Sequence, residues 1–260
     1  MSIPDLPPTT DASAASLQQA LHECETQLAQ ERQEMAGLLY AVSHDLRAPL
    51  RAVSGFSQAL REHAESSLDS TALHYLQRIE DSSRRMTTLL DGLLSLSRLS
   101  QAEMLWTDVD LSKLSDEVAL QLAQQHPEHQ PELLIAPNMQ IHGDARLLRQ
   151  ALQRLLENAW KCTAGKAGAR IEVGGTLLNN QPVYYVRDNG VGFDMNYVSK
   201  LFVPFQQLHA RTELNGIGLG LAGAQRIIAR HGGRIWAEAS PDHGAQFFFT
   251  VPSSAAAMAS

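Results

Sequence analysis

The chain is short of cysteine, with Cys24 and Cys162 as its only two thiols in 260 residues. Two thiols so far apart exclude a disulfide framework and a cysteine-rich zinc site, and they fit a reducing compartment. There is no apolar run of about 18 residues or more, so no segment reads as a membrane-spanning helix. The opening Met1–Thr10 is rich in Pro and Thr and lacks the basic-then-apolar order of a secretory leader, which places the protein in the cytoplasm. Positive charge is also scarce. The 21 Lys and Arg are outnumbered by 28 Asp and Glu, for a formal net charge of −7. A broad nucleic-acid-binding face is not expected from that balance.

What is present is a globular composition, 44% hydrophobic and 19% charged, whose pattern changes near residue 100. The first part repeats like a helix. Leu17, Leu21, Cys24, Leu28, Glu31, Met35, Leu38 and Val42 follow one another in alternating steps of four and three, a heptad seam with Glu31 as its misfit. Asp45 extends the same spacing. A second seam runs Leu76, Ile79, Ser83, Met86, Leu90 and Leu93, and the polar stretch His63–Thr71 between them reads as a turn. The expected structure is a helical hairpin. One hairpin has too little core, so two copies are expected to pair as a four-helix bundle, and the chain to be a homodimer.

Beyond residue 103 strands and helices alternate. Met104–Val109, Leu133–Ala136, Met139–His142, Arg170–Leu178, Val183–Asp188, Arg234–Ala239 and Ala245–Val251 read as strands. Leu111–Gln125, Asp144–Lys161 and Leu219–His231 read as helices, the second capped by Asp144. The fold class is α+β: a helical hairpin, then an α/β sandwich. The domains are a tail at 1–13, the hairpin with an N-terminal coiled coil at 14–102, a sandwich at 103–252 and a tail at 253–260.

Several motifs carry chemistry. Ser43-His44-Asp45-Leu46-Arg47-Ala48-Pro49-Leu50 puts a histidine on the first helix beside its seam. Asp45 is placed to hold one imidazole nitrogen and leave the other as a nucleophile. Pro49 cannot donate to the carbonyl four residues back, which predicts a bend there. Asp188-Asn189-Gly190-Val191-Gly192 follows a strand: an Asp at a strand end accepts from an exocyclic amine, and the glycines let backbone approach a ligand. Gly216-Ile217-Gly218-Leu219-Gly220 leads into a helix, where backbone N–H groups and the helix dipole suit a phosphate. Glu157-Asn158-Ala159-Trp160-Lys161 offers an amide oxygen to a hard cation and an ammonium one turn on. Met195–Asn215, with Leu201-Phe202-Val203-Pro204-Phe205 inside it, has the length and flanking glycines of a mobile lid. Taken singly, each has an ordinary structural explanation: an exposed helical His, a Gly-rich turn, a glycine hinge, a polar helix face, a surface loop.

Their order is more specific. From about residue 30 to 252 the chain resembles the catalytic core of sensor histidine kinases, and within them most resembles the phytochrome-related branch. His44 and its flank resemble the phosphoacceptor box, Glu157–Lys161 the N box, Asp188–Gly192 the G1 box, Phe202–Phe205 the F box and Gly216–Gly220 the G2 box. The resemblance implies a Bergerat-type ATP-binding fold that uses ATP and Mg²⁺. It implies autophosphorylation of His44 with Asp45 as base, and transfer to an aspartate of a response regulator receiver domain. It further implies that Asp188 reads adenine, Asn158 holds Mg²⁺ and Lys161 meets phosphates. Gly190, Gly192, Phe205, Gly216, Gly218, Leu219 and Gly220 would line the nucleotide, with His209 and Arg211 near its phosphates.

Four positions depart from the family pattern: Arg154, four residues before Asn158, where Asn or Glu is usual; Cys162, where a large apolar residue is common; Ile217 for Thr or Ser; and Ala48 for Thr or Asn. An upstream sensor domain or protein would supply the signal. Arg154 favours a nucleotide-binding adaptor as one rival reading, and a gyrase-like ATPase without the histidine step is another.

Overall fold

The computed structural model describes residues 11–64, 67–101, 103–206 and 218–252. The chain divides into two compact units, Met1–Gln101 and Ala102–Ser260. The expected tail at 253–260 and the first ten residues of the other lie outside the described residues.

The first unit is two long helices, α1 (Asp11–Ala64) and α2 (Ser70–Gln101). Helix α1 begins three residues inside the stretch expected as a tail. The turn is closed where Ser67 and Leu68 donate to the Ala64 carbonyl. Asp69 then starts α2 by accepting the Ala72 N–H at 2.7 Å, as a short acceptor side chain does at a helix entry. Helix α1 runs through Pro49 without interruption. The ring costs it the N–H that would have served the Asp45 carbonyl.

The face that α1 turns to α2 is small and polar. Ser54 and Ser83 share a hydrogen bond of 2.8 Å, Arg47 pairs with Asp91 at 2.7 Å, and Arg61 makes a forked pair with Glu80. Ser43, Ser57, Ser83 and Leu76 are buried. The apolar seam of α1 is turned away from α2: Leu21, Leu28, Met35, Leu38 and Val42 are all exposed within the single chain. In the second seam Leu76 and Ser83 are buried, whereas Ile79 and Met86 are exposed. Asp45 does not extend the apolar row either. That row continues through Leu46, Val53, Phe56 and Leu60, taking two steps of four in succession, because a straight helix drifts off a strict seven-residue repeat.

The second unit holds β1 (Thr107–Asp110), α3 (Leu111–Gln125), β2 (Glu132–Ile135), β3 (Gln140–Gly143), α4 (Ala145–Cys162), β4 (Arg170–Leu178), β5 (Gln181–Asp188), α5 (Gly220–Arg230), β6 (Ile235–Ser240) and β7 (Gly244–Phe249). Five strands form one sheet in the order β2-β4-β5-β7-β6, while β1 and β3 pair separately as an antiparallel ribbon. Only β2–β4 is parallel within the larger sheet. Helices α3, α4 and α5 lie against its strands. Inward-facing residues of helix and strand, among them Leu155, Leu156, Ile171, Val186, Ile227 and Phe247, are almost wholly withdrawn from solvent, which makes this layer the main source of hydrophobic stabilisation.

The segment expected to open a mobile lid is partly structured. Met195–Lys200 is a 3-10 helix capped by the Asp194 carboxylate, which accepts the Asn196 N–H, and Leu201 behind it is buried. An acidic cap and one buried leucine anchor this end.

Candidate functional site

In the hairpin, His44 Nδ1 lies 3.2 Å from Asp45 Oδ1, and both side chains are well exposed, at 69% and 83%. The geometry leaves Nε2 in solvent. Ser43, one residue earlier, points inward instead: it is fully buried and its hydroxyl has no hydrogen-bond partner. Ala48 and Pro49 are exposed on the next turn.

In the second unit the most unusual group is Asp188, the last residue of β5. Its Oδ1 accepts the Gly190 N–H at 2.8 Å, and the N–H of Ala245, its register partner on β7, also favours the charged form. Its Oδ2 is buried with no partner. Burial pushes the carboxyl up from 3.8 to about 6, against the two N–H groups and Lys166, which act the other way. A buried carboxylate oxygen without a donor is costly unless something supplies one.

The turn after Asp188 is stitched to the end of α4. Val191 donates to the Cys162 carbonyl at 3.1 Å, and a Cβ at Gly190 would run into that same carbonyl and, at 2.8 Å, into Asp188 Oδ1. Only glycine permits this approach. Gly192 is buried within the same turn. The Cys162 thiol is half-buried, and burial pushes it up to about 12, so it is held in the protonated form. Helix α4 carries Asn158, half-buried, and Lys161, exposed in its last turn. Trp160 behind them is anchored by donating to the His129 carbonyl at 3.2 Å.

Gly216, Ile217, His209 and Arg211 lie outside the described residues. The two ends of that stretch meet: Phe205 N–H donates to the Gly218 carbonyl at 3.0 Å. Gly218 has φ +72, and a Cβ there would collide with the Gln206 backbone. Phe205 is half exposed and holds φ +67, a conformation that costs a bulky residue energy. Leu219 is buried and Gly220 opens α5, whose first turn has neither a side-chain cap nor an acidic residue.

Arg154 is half-buried and reaches α5, where its Nη1 donates to the Leu219 carbonyl at 3.4 Å. Sequence reasoning did not single out this tie, nor Ser43, nor His231, whose partners lie far off in the chain. The Asp144 cap seen in the sequence is present: its carboxylate accepts from the Arg146 and Leu147 N–H groups, from Leu105 and from the Arg146 side chain. Led by that guanidinium, these bonds hold the carboxyl well below the usual carboxylate range. Among the described residues no three His, Cys, Asp or Glu side chains cluster as metal ligands, and no helix is long and apolar enough to cross a membrane.

Two family models match the chain. Residues 34–102 match the His Kinase A (phospho-acceptor) domain, and residues 143–255 match the histidine kinase-, DNA gyrase B-, and HSP90-like ATPase. Cyanobacterial phytochrome A of Nostoc sp. is 32% identical over 92% of this chain and 31% of its own length. The methanogenesis regulatory histidine kinase FilI of Methanothrix harundinacea is 34% identical over 91% of this chain and 26% of its own. The chain thus spans about a quarter to two fifths of the length of the curated relatives it matches. Among solved structures, full-length ShkA in complex with AMPPNP is 27% identical with a TM-score of 0.59, covering 82% of this chain and 45% of that one.

Proposed function

Starting from the chain's membership of the histidine kinases, whose phospho-acceptor and ATPase domains it carries in order, we propose that it is an ATP-dependent autokinase acting on His44. The observation that carries the ATP half is the unpartnered, buried Oδ2 of Asp188. An adenine amino group is a donor of the right kind, and Gly190, whose side-chain space is taken by the Cys162 carbonyl, sets the turn tightly beside that carboxyl. The similarity to ShkA, solved with AMPPNP, supports the same reading.

Asn158 has the donor a magnesium ion would need, a neutral amide oxygen on a half-buried helix face; with few protein ligands near, such an ion would lean on phosphate oxygens. When bound it would offset phosphate charge. Lys161, one turn on, would add an ammonium to the same task. Gly190, Gly192, Phe205, Gly216, Gly218, Leu219 and Gly220 are assigned to the walls around the nucleotide.

At the acceptor, Asp45 holds the Nδ1 edge of the His44 ring, which keeps the Nε2 lone pair outward. Nε2 attacks the γ-phosphorus, the N–P bond forms as the bond to the β-phosphate oxygen breaks, and ADP leaves with the electron pair. The Nδ1 proton passes to Asp45 as the ring would otherwise become cationic. The phosphohistidine then donates to a carboxylate, the N–P bond giving way to an acyl phosphate on a response regulator aspartate. The outward apolar row from Leu21 to Leu60 supports a second copy as its cover, making a four-helix bundle. An upstream sensor domain or protein is the proposed signal source and the cytoplasm the proposed location.

Incubation with γ-labelled ATP and magnesium tests the reading. An acid-labile, base-stable label that vanishes in His44→Gln is expected. Tight ATP binding with no label in the wild type would make the chain a nucleotide-binding adaptor, and steady ATP turnover unchanged in His44→Gln would make it a simple ATPase.

A further inference from the structure

Arg154 is a basic side chain on the body of α4 that the ATP reading leaves without a task, and its surroundings are specific. The guanidinium does not extend into solvent. Its Nη1 donates to the carbonyl of Leu219 at 3.4 Å, an oxygen that also accepts the Gly223 N–H at 3.0 Å as the first bond of α5. The group lies flat over Gly223: a Cβ built there would stand 2.6 Å from Nη1, 2.7 Å from Cζ and 2.9 Å from Nε. Gly223 is buried at the fourth position of α5, where glycine costs up to about 1 kcal/mol relative to alanine. The notch it makes is what lets the guanidinium reach Leu219.

Leu219 is a particular place to be held. It is the residue between Gly218, whose carbonyl closes the loop base with Phe205, and α5, whose first turn exposes backbone N–H groups with no cap of its own. Arg154 in turn stands one helical turn before Asn158 on the same face of α4. The bond therefore couples the helix that carries Asn158 and Lys161 to the point where the glycine run becomes α5.

We infer that Arg154 is a positioning residue for the nucleotide's phosphate chain, its guanidinium seated over Gly223 and pinning Leu219 so that the N–H groups of the first turn of α5 stand at a set distance from Asn158. This rests on the ATP site proposed above. Gly223 is then a functional position, kept free of a side chain to admit the arginine.

The test compares wild type, Arg154→Ala, Arg154→Lys, Gly223→Ala and the double Arg154→Ala/Gly223→Ala in the full chain. The readouts are thermal melting and His44 labelling against ATP concentration. Loss of one hydrogen bond to a charged group predicts a KM for ATP raised roughly tenfold in Arg154→Ala, with the change falling on KM rather than kcat. Arg154→Lys, which keeps one donor, should recover part of it. Gly223→Ala should raise KM similarly while melting no lower than wild type, since the added methyl expels the guanidinium but favours the helix. The double variant should match Arg154→Ala to within about twofold, because residues in direct contact do not add. If Arg154→Ala does not fold, Gly223→Ala alone decides. A wild-type KM in Gly223→Ala, or additive effects in the double variant, overturns the inference while leaving the ATP site intact. A wild-type protein that neither binds ATP nor labels removes both.

Discussion

His231 Nε2 accepts the backbone N–H of Asp144 at 3.0 Å, joining residues 87 apart in the chain. The ring's Nδ1 donates to the Ile227 carbonyl at 2.8 Å, so both nitrogens are committed and the imidazole is neutral. It is buried, and Trp106 packs edge-on against it at 5.4 Å. One histidine thus fixes the end of α5 to the entry of α4, whose cap is Asp144.

That arrangement gives a pH dependence of known sign. Burial pushes His231 below its ordinary 6.5, against the Ile227 bond and Asp144. Its contribution to stability is complete above 6.5 and is lost as pH falls through the lower folded-state value. His231→Gln should cost about 1–3 kcal/mol at neutral pH, and its difference from wild type should shrink as pH falls from about 7.5 to 5 in thermal unfolding. A constant difference over that range would contradict the neutral buried ring.

Asp188 has the opposite sign. Its carboxyl is raised from 3.8 to about 6, so its contribution to the unliganded fold is full below 3.8 and is lost as pH rises through about 6. The ionised carboxylate accepts an adenine amine more strongly than the neutral acid does. ATP affinity should therefore weaken as pH drops below about 6, in calorimetric titration, while the unliganded protein gains from the same protonation. Asp188→Asn should bind ATP poorly at every pH and melt higher than wild type without nucleotide near neutrality. Affinity that stays flat down to about pH 5 would argue against this carboxylate as the base reader.

Ser43 should be replaceable. Its hydroxyl is buried and unpartnered, which costs roughly 1–3 kcal/mol relative to a satisfied group. Ser43→Ala is expected to raise the hairpin's stability by about 1 kcal/mol in chemical denaturation. A loss of stability instead would mean that the hydroxyl finds a partner in the dimer.

Phe56 is 78% exposed in the single chain, and full burial of such a side chain contributes about 1.5–3 kcal/mol. Phe56→Asp should convert the dimer to monomer at micromolar concentration in analytical ultracentrifugation and reduce the helical signal. A variant that remains dimeric would place the pairing surface elsewhere on the hairpin.

The elements of the second unit lie close to where periodicity and capping residues put them, because those signals are local: Asp144 caps α4, and the β4 bounds agree with the expected strand. Partnership is less legible: the seam through Leu28 and Met35 is exposed in the single chain, while α1 meets α2 through Ser54, Arg47 and Arg61. A heptad pattern says that a face is apolar and is silent about which chain covers it. The 3-10 helix at Met195–Lys200 was not legible, because an Asp194 cap and one buried leucine are weak signals beside a run of loop-forming residues.

By itself the sequence determined the order of helices and strands, the outward histidine beside an aspartate, and the ordered set of boxes that identifies the family, since each of these is written in residues a few places apart. The tertiary structure alone decided that Asp188 Oδ2 lacks a donor, that Arg154 is aimed at Leu219 and Gly223 and not at solvent, and that His231 is locked to Asp144. Those facts depend on groups 65 and 87 residues apart meeting in space. Burial, which changes what a carboxylate or an imidazole costs to charge, exists only once the chain has closed around them.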